Sequence, residues 1–361
     1  MMIPKPGIET IQPYQGGKPI EEVQRELGIA DIIKLASNEN PLGPSPLAVQ
    51  AIAENATQVH LYPDGNAYYL KTDLAAHLGV SAEHLILGNG SNDVLQLVGE
   101  AYLAPGDEVI YAAGAFIVYH LVTKICGATA IVVPMVNHTH HLSAMAAAIT
   151  EKTKVIFIAN PNNPTGTMVT ADETTAFLAQ VPKHVLVVFD EAYYEYVTRA
   201  DYPQTLPYVL EERNVLITRT FSKIYGLAGL RIGYGIAPPV IVETLNRVRQ
   251  PFNCNLIGQA AARAALKDSA HVQESQRCNA EGKTFLYNAL DALGVGYLPT
   301  EGNFIMVFLD NSGADIADAL LRKGIIVRPM AGYGYPNALR VTIGTREENE
   351  RFIAGLGEVV S

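Results

Sequence analysis

The chain has 361 residues and a mass of 39.0 kDa, enough for two domains and a large hydrophobic core. Its 26 basic and 36 acidic side chains give a formal net charge of -10, and the basic residues are scattered, so nucleic acids and anionic membranes are not expected as partners. No apolar run approaches the roughly 20 residues of a membrane span, and the first residues lack the charged and apolar regions of a signal peptide, so we expect a cytoplasmic protein.

Short runs of Val, Ile and Leu predict buried strands through the first two-thirds of the chain. The runs lie at residues 85–87, 109–111, 131–133, 155–158, 185–189 and 215–217. Because these runs alternate with helical stretches, they predict an α/β fold with a mainly parallel sheet covered by helices on both faces. Such sheets bind ligands at the carboxyl ends of their strands, and the polar motifs of this chain follow these runs.

The pattern changes after Pro239, where apolar residues recur at helical spacing as far as Leu293. This spacing predicts a long helical connection. After it, strand-like runs at 303–308, 325–327 and 339–343 surround a helix near 314–323, which predicts a smaller α/β unit joined by the N-terminal segment. The expected division is a large domain over 38–265 and a small domain made of 1–37 with 266–361.

The most informative motif places one lysine, Lys223, beside the hydroxyls of Thr220 and Ser222, with Arg231 eight residues further on. The apolar run 214–218 leads into the lysine, so its amine should be partly desolvated. Burial and a nearby cation lower a lysine pKa, which makes the amine a nucleophile toward an aldehyde. The hydroxyls and the guanidinium would hold a phosphate beside it, and an aldehyde that carries its own phosphate is pyridoxal 5'-phosphate (PLP). Taken alone, the motif also fits a solvated lysine at a strand end.

Asp190 follows another buried run, where an unpaired carboxylate would be costly and needs a cationic partner. The protonated ring nitrogen of PLP is such a partner, and it makes the ring an electron sink. Tyr193 lies three residues further on, where it could reach the phenolic oxygen of the ring. The alternative for Asp190 is a cap on the following helix.

Two turns after buried runs supply further candidates. Prolines and a glycine fix the turn over residues 160–166, which could aim the amide of Asn163 at the same phenolic oxygen. The turn Gly88-Asn89-Gly90-Ser91 precedes a helical stretch, where exposed N–H groups and the helix dipole could bind phosphate. It lacks the third glycine of a dinucleotide site and the context of a hydrolase serine, and a plain helix cap is the alternative. Phe116 could stack on the cofactor ring.

Neither the cysteines nor the histidines predict a metal site. Cys126, Cys254 and Cys278 are an odd number without metal spacing, so we expect thiols in a reducing compartment. His138, His140 and His141 lie among Asn and Thr without a nearby cysteine or carboxylate pattern, which favours a solvated loop.

Several motifs together resemble the fold-type-I, class-II PLP-dependent aminotransferases. They are Ser37-Asn38-Glu39-Asn40-Pro41, Tyr62-Pro63-Asp64, Gly88-Asn89-Gly90-Ser91, residues 160–166, Asp190-Glu191-Ala192-Tyr193, and Ser222-Lys223 with Arg231. Their order and approximate spacing match the family over essentially the whole chain. Within it, Pro13-Tyr14 and residues 17–23 and 339–348 are most similar to the histidinol-phosphate aminotransferase group. The resemblance implies that 38–265 is the PLP-binding domain of a fold-type-I transferase.

The resemblance also implies a role for each matching residue. Lys223 would bond covalently to the cofactor aldehyde, Asp190 would pair with the ring nitrogen, and Tyr193 would contact the phenolic oxygen; these three are the expected catalytic residues. The remaining expected cofactor contacts are Asn163, Phe116 and a phosphate cup of Ser91, Asn92, Thr220, Ser222 and Arg231. Tyr62 would reach the cofactor phosphate of a neighbouring subunit, which implies a homodimer with shared sites. Arg340, Arg328, Tyr14 and Asn40 are the expected substrate-binding residues.

The implied reaction exchanges the amino group between L-histidinol phosphate with 2-oxoglutarate and imidazole acetol phosphate with glutamate, in histidine biosynthesis. Related enzymes act on aromatic amino acids, and an arginine alone does not exclude a carboxylate substrate. A lyase similar to threonine-phosphate decarboxylases is a second alternative. A PLP-binding regulatory domain is a third, and the net charge of -10 and the absence of a basic N-terminal helical domain argue against it.

Overall fold

The computed structural model describes residues 2–5, 7–13 and 16–360. Its strands are β1 Ile33–Lys34, β2 Leu85–Gly88, β3 Glu108–Ala112, β4 Thr129–Val133, β5 Thr153–Ala159, β6 Leu186–Asp190, β7 Val215–Thr220, β8 Gly233–Ile236, β9 Gly296–Leu298, β10 Phe304–Phe308, β11 Ile325–Ile326, β12 Arg328–Pro329 and β13 Ala338–Thr342. Its α-helices are α1 Ile20–Leu27, α2 Pro46–Asn55, α3 Tyr68–Leu78, α4 Ser91–Tyr102, α5 Ile117–Ile125, α6 Leu142–Ala147, α7 Ala171–Leu178, α8 Leu206–Leu210, α9 Pro239–Val248, α10 Leu256–Ala265, α11 Ser269–Leu293, α12 Gly313–Arg322 and α13 Arg346–Val360.

A seven-stranded sheet in the order β2-β8-β7-β6-β5-β3-β4 forms the centre of the fold. Strands β4, β3, β5, β6 and β7 are parallel to one another, and β8 is antiparallel to both β7 and β2. The central strands β6 and β7 are buried at every position, because hydrophobic clusters cover both faces of the sheet. The expected fold class, a mainly parallel sheet covered by helices in a fold-type-I arrangement, is confirmed.

A second, antiparallel sheet has the order β12-β13-β10-β9 and packs with α11, α12 and α13 around its own hydrophobic cluster. The N-terminal segment joins this part of the chain, because β1 pairs in parallel with β11 through Ile33 and Ile325. The predicted helix near 314–323 is present as α12, and the predicted helical connection consists of α9, α10 and α11. The division into domains at 38–265 and 1–37 with 266–361 stays a prediction.

The histidine cluster differs from the expectation. His140 is 4% exposed rather than solvated, and burial lowers the pKa of its imidazole to about 4. The prediction of a solvated loop is therefore wrong for this residue, although His141 is exposed. Within the described ranges, no group of three or more His, Cys, Asp or Glu side chains is arranged to hold a metal ion. Within the same ranges, no helix has the length and apolarity that crossing a membrane requires.

Candidate active site

A cavity of about 190 Å³ lies at the carboxyl ends of β5, β6 and β7, next to the N-terminus of α4. This is where a parallel sheet of this kind binds ligands. Most of the predicted site residues line it: Ser91, Asn92, Phe116, Asn163, Asp190, Tyr193, Thr220, Ser222, Lys223, Arg231 and Arg340. Motifs that lie up to about 250 residues apart in sequence therefore meet in one place, and Arg340 reaches it from β13 of the second sheet.

Lys223 lies three residues after the end of β7, so the buried strand fixes where its amine can reach. Its Nζ donates a hydrogen bond to the Ser37 carbonyl oxygen at 3.1 Å. Burial, followed by the positive charges of Arg340 and Arg231, lowers the pKa of the Lys223 amine to about 7, although Glu39 opposes the shift. With a pKa near 7, about half of the amine is unprotonated at neutral pH, and the unprotonated form is the nucleophile.

Asp190 is the last residue of β6 and is 5% exposed. Its carboxylate accepts a hydrogen bond from the Tyr119 hydroxyl at 2.9 Å and another from the Thr218 hydroxyl at 3.1 Å. Burial raises the pKa of Asp190, while these two hydrogen bonds lower it. The side chain is held by these two hydroxyls and does not cap a helix, so a cation at the open side of the carboxylate would stabilise its ionised form.

Two hydrogen bonds join residues that line the cavity. The side-chain amide of Asn38 donates to the Tyr193 hydroxyl at 2.8 Å, and Arg340 Nη1 donates to Asn163 Oδ1 at 2.6 Å. Arg340 Nη2 also donates to the Ala36 carbonyl oxygen at 2.7 Å, so the guanidinium is held from two sides. These hydrogen bonds therefore fix the Tyr193 hydroxyl and the Asn163 amide in the cavity.

One end of the cavity is built for an anion. Arg231 Nη1 lies 3.4 Å from Ser222 Oγ, and the N-terminus of α4 begins at Ser91. Gly90 precedes that helix with φ 81°, a backbone conformation that favours glycine, and a Cβ at this position would lie 2.4 Å from Arg231 Nη2 and displace the guanidinium. Free N–H groups of a helix N-terminus beside a guanidinium and hydroxyls suit a phosphate.

The residues present fit PLP. The cavity presents a nucleophilic amine for the aldehyde, a buried carboxylate for the ring nitrogen and an anion end for the phosphate. Phe116 lines the same cavity and contacts Tyr119 edge-on, with ring centroids 5.9 Å apart, so an aromatic face borders the space for the ring.

Among the described residues, three of the predicted ones do not line the cavity. Tyr62 is 81% exposed and stacks on Phe252 with a centroid distance of 4.7 Å. Asn40 uses its amide on the Ile224 carbonyl oxygen at 2.7 Å and on Ser275 Oγ at 2.8 Å. Arg328 lines a neighbouring cavity of about 720 Å³, which Tyr333 also borders. Tyr14 lies outside the described residues.

The sequence reasoning assigned no role to several residues at the site. Asn38 belongs to the motif Ser37-Asn38-Glu39-Asn40-Pro41, which indicates the family but gives Asn38 no role. Its backbone is left-handed, with φ 56°, and the sequence does not predict this conformation. Tyr119 and Thr218 contact Asp190 from α5 and β7, and no local pattern distinguishes them from core residues. Tyr333 comes from the segment after β12.

We expect Lys223 in PLP-free protein to react with a pulse of amine-acylating reagent along a titration curve centred near pH 7. The amine has a lowered pKa, so its unprotonated fraction rises through that pH, whereas an ordinary lysine gains reactivity only toward pH 10. Peptide mass spectrometry after pulses between pH 6 and 9 measures the curve. The peptide that carries Lys124 is followed in the same digest as the comparison, and a Lys223 curve that coincides with the Lys124 curve would contradict the assignment.

Known proteins are similar to this chain over almost its whole length. Residues 30–356 match the sequence profile of the family Aminotransferase class I and II. The histidinol-phosphate aminotransferase of Moorella thermoacetica is 56% identical over 355 residues, which cover 98% of this chain and 92% of the relative. Histidinol-phosphate aminotransferase 1 of Nitrosococcus oceani is 51% identical, with 98% of this chain and 96% of the relative covered. A crystal structure of histidinol-phosphate aminotransferase from Sinorhizobium meliloti in complex with pyridoxal-5'-phosphate has a TM-score of 0.91 at 29% identity, covering 99% of this chain and 97% of that chain.

Proposed function

The chain belongs to the class I and II aminotransferases, and from this premise we propose that it transfers the amino group of L-histidinol phosphate to 2-oxoglutarate. The products are imidazole acetol phosphate and glutamate, and the step belongs to histidine biosynthesis. The observation that carries the proposal is the cavity in which Lys223, Asp190 and Arg340 meet, in a chain whose full-length relatives are histidinol-phosphate aminotransferases. PLP is the cofactor of this enzyme.

Different residues of the cavity would contact different parts of the cofactor. All of the following residues line the cavity: Ser91, Asn92, Thr220, Ser222 and Arg231 would hold the phosphate, Asp190 would pair with the protonated ring nitrogen, and Tyr193 with Asn163 would contact the phenolic oxygen. When bound, PLP withdraws electrons from the substrate carbon that loses its proton. The Tyr119 and Thr218 hydroxyls keep the Asp190 carboxylate in place, so that its charge faces the ring nitrogen.

Lys223 would hold the cofactor through its aldehyde, and the same amine, when free, would act as general base and acid at the substrate Cα–H. This role requires an amine that is partly unprotonated near neutral pH. The lowered pKa of about 7 supports this role, because the amine can both accept and release a proton there.

Arg340 binds the anionic end of both substrates in turn. Its guanidinium is buried, is held by Asn163 and Ala36, and lies over the ring of Phe304 at 5.6 Å. A planar guanidinium binds a phosphate or a carboxylate by donating two parallel hydrogen bonds. Arg328 lies opposite Arg340 in the β12–β13 pair, so a second cation lies on the side where the neighbouring cavity opens.

The enzyme is proposed to be a homodimer with shared active sites. Tyr62 is exposed and remote from the cavity of its own chain, and it lies with Phe252, Val59 and Leu61 on an exposed apolar surface. A second copy of the chain would cover this surface and receive Tyr62 at its cofactor phosphate. The cytoplasm is the proposed location, because a doubly charged phosphate ester does not cross a lipid bilayer and its enzyme shares its compartment.

Two other reactions remain to be separated from this one. An aromatic amino acid aminotransferase would use Arg340 for a carboxylate in the same way, and a PLP lyase of the threonine-phosphate decarboxylase kind would release carbon dioxide without a keto acceptor. The identity of 56% to a histidinol-phosphate aminotransferase over 98% of this chain favours transamination of histidinol phosphate.

The visible absorption of the PLP-loaded protein tests the function. We expect histidinol phosphate to remove the band of the lysine-bound cofactor and 2-oxoglutarate to restore it, because each ligand drives one half-reaction. Phenylalanine at the same concentration is the comparison substrate, and carbon dioxide release is measured in parallel. A band that responds to phenylalanine but ignores histidinol phosphate would move the assignment to the aromatic enzymes, and release of carbon dioxide would move it to the lyases.

A further inference from the structure

A buried ion pair lies directly behind the cofactor cavity. Glu191 is 0% exposed and Arg219 is 6% exposed. Arg219 donates from Nε at 3.0 Å and from Nη2 at 2.8 Å to the same carboxylate oxygen, and the Thr205 hydroxyl donates to the other oxygen. Neither charged residue lines the cavity. A buried ion pair contributes little net stability, because the desolvation of both charges offsets their attraction. A role in positioning neighbouring residues would explain its location better.

The pair lies between the residues that serve the cofactor. Glu191 directly follows Asp190 at the end of β6, and Arg219 lies between Thr218 and Thr220 on β7. Successive side chains of a strand point to opposite sides, so Asp190 and the two threonines face the cavity side while the ion pair lies on the other. The Glu191 N–H also donates to the Thr218 carbonyl oxygen at 2.9 Å. The ion pair therefore joins the two strand ends at the position of the cofactor residues.

The electrostatics of the pair also concern Asp190. Although burial opposes the charge of Arg219, the Glu191 carboxylate raises the pKa of the guanidinium, which stays protonated. Arg219 Cζ lies 3.4 Å from the centroid of the Tyr194 ring, so an aromatic contact also holds the guanidinium. The charge of Glu191 contributes to the raised pKa of Asp190, so a cation on Glu191 limits the repulsion between two neighbouring buried carboxylates.

We propose that Glu191 and Arg219 are positioning residues for the cofactor: their ion pair aligns Asp190 with Thr218 and Thr220 and keeps Asp190 as an ionised partner of the ring nitrogen. The role rests on the proposed PLP-dependent function. It assigns no contact with substrate to either residue, so it predicts effects on cofactor binding and on kcat rather than on the KM for substrate.

The test compares five variants with the wild type: Arg219→Met, Arg219→Lys, Glu191→Gln, the double variant Glu191→Gln with Arg219→Met, and the control Arg346→Met. Arg346 is also an arginine that pairs with a carboxylate, Glu350, and lies over an aromatic ring, that of Phe285 at 4.0 Å, but it begins α13 and does not line the cavity. The measurements are the PLP dissociation constant, the pH midpoint of the bound cofactor band, kcat, KM and the thermal unfolding of the PLP-free protein.

Arg219→Met is expected to weaken PLP binding at least about tenfold and to lower kcat by a similar factor, because it leaves Glu191 charged and unpaired beside Asp190. The band midpoint should shift by about one pH unit, while KM stays within about threefold. The double variant should recover part of the PLP affinity, since it removes the Glu191 charge together with its partner, although Glu195 still loses the nearby guanidinium. Arg219→Lys should fall between the wild type and Arg219→Met.

Values of the PLP dissociation constant, band midpoint and kcat in Arg219→Met that equal those of Arg346→Met would overturn the positioning role. If Arg219→Met does not fold, Glu191→Gln decides the matter, because the amide keeps the shape of the carboxylate: unchanged PLP affinity in that variant overturns the role, and weakened affinity at an unchanged unfolding temperature supports it. A wild-type protein that fails to bind PLP would instead refute the proposed function itself, before any variant is compared.

Discussion

Replacing Lys223 with alanine is expected to lower kcat by at least about 10⁴-fold and to abolish the visible band of the lysine-bound cofactor. The variant loses both the amine that bonds to the aldehyde and the base that moves the proton at the substrate Cα. PLP should still bind non-covalently, because Arg231, Ser222 and the N-terminus of α4 remain. Steady-state kinetics with histidinol phosphate and the absorption spectrum of the PLP-loaded variant measure the two effects.

Lys283→Ala is the matched control for this prediction. Lys283 is also a partly buried lysine whose pKa is lowered by burial, and its Nζ donates to a backbone carbonyl oxygen, that of Thr300, at 3.3 Å. It lies on α11 and does not line the cavity, so kcat should stay within about twofold of the wild type. Full turnover by Lys223→Ala, or an equal loss in both variants, would refute the assignment of Lys223.

Replacing Asp190 with asparagine is expected to lower kcat by about 10³-fold. The neutral amide does not offset the positive charge of a protonated ring nitrogen, so the cofactor loses the proton that makes it an electron sink. The PLP-free variant should be at least as stable as the wild type, because the substitution removes a buried carboxylate with a raised pKa. Kinetics together with thermal unfolding of the PLP-free protein separate a functional loss from misfolding.

Thr218→Val serves as the control for Asp190→Asn. It removes one neutral hydrogen bond, of 3.1 Å, from the Asp190 carboxylate and keeps the negative charge. We expect kcat to fall by no more than about tenfold in this variant. If Thr218→Val were as slow as Asp190→Asn, the geometry of the carboxylate rather than its charge would explain the loss.

The strands that carry the site were predictable because their signal is local. Each apolar run is short and continuous, as expected for strands buried on both faces, and the structure places β2 to β7 on the predicted runs. Polar residues that directly follow such runs must lie at the carboxyl edge of the sheet. This position predicts a shared site for Asp190, Asn163 and Lys223, and all three line the cavity.

The contacts between these residues were not predictable in the same way. Asn38 and Tyr193 are 155 residues apart, and Arg340 and Ala36 are 304 residues apart, yet both pairs form hydrogen bonds. No periodicity within one segment determines such a pair. The ion pair of Arg219 on β7 was not predictable either, because its partner Glu191 directly follows the end of β6 and lies 28 residues away in sequence.

The sequence by itself therefore determined the type of fold, since alternating apolar runs are local features. The cofactor and the chemical groups of the site were predicted from the combination of motifs that resembles the PLP-dependent aminotransferases, because the lysine motif alone also fits a solvated strand end. Only the tertiary structure decided which of the predicted residues share a cavity: Arg340 does, whereas Tyr62, Asn40 and Arg328 do not line it. The physical reason is that strand order and the packing of the N-terminal segment against the C-terminal sheet set these distances. Both depend on contacts across the whole chain.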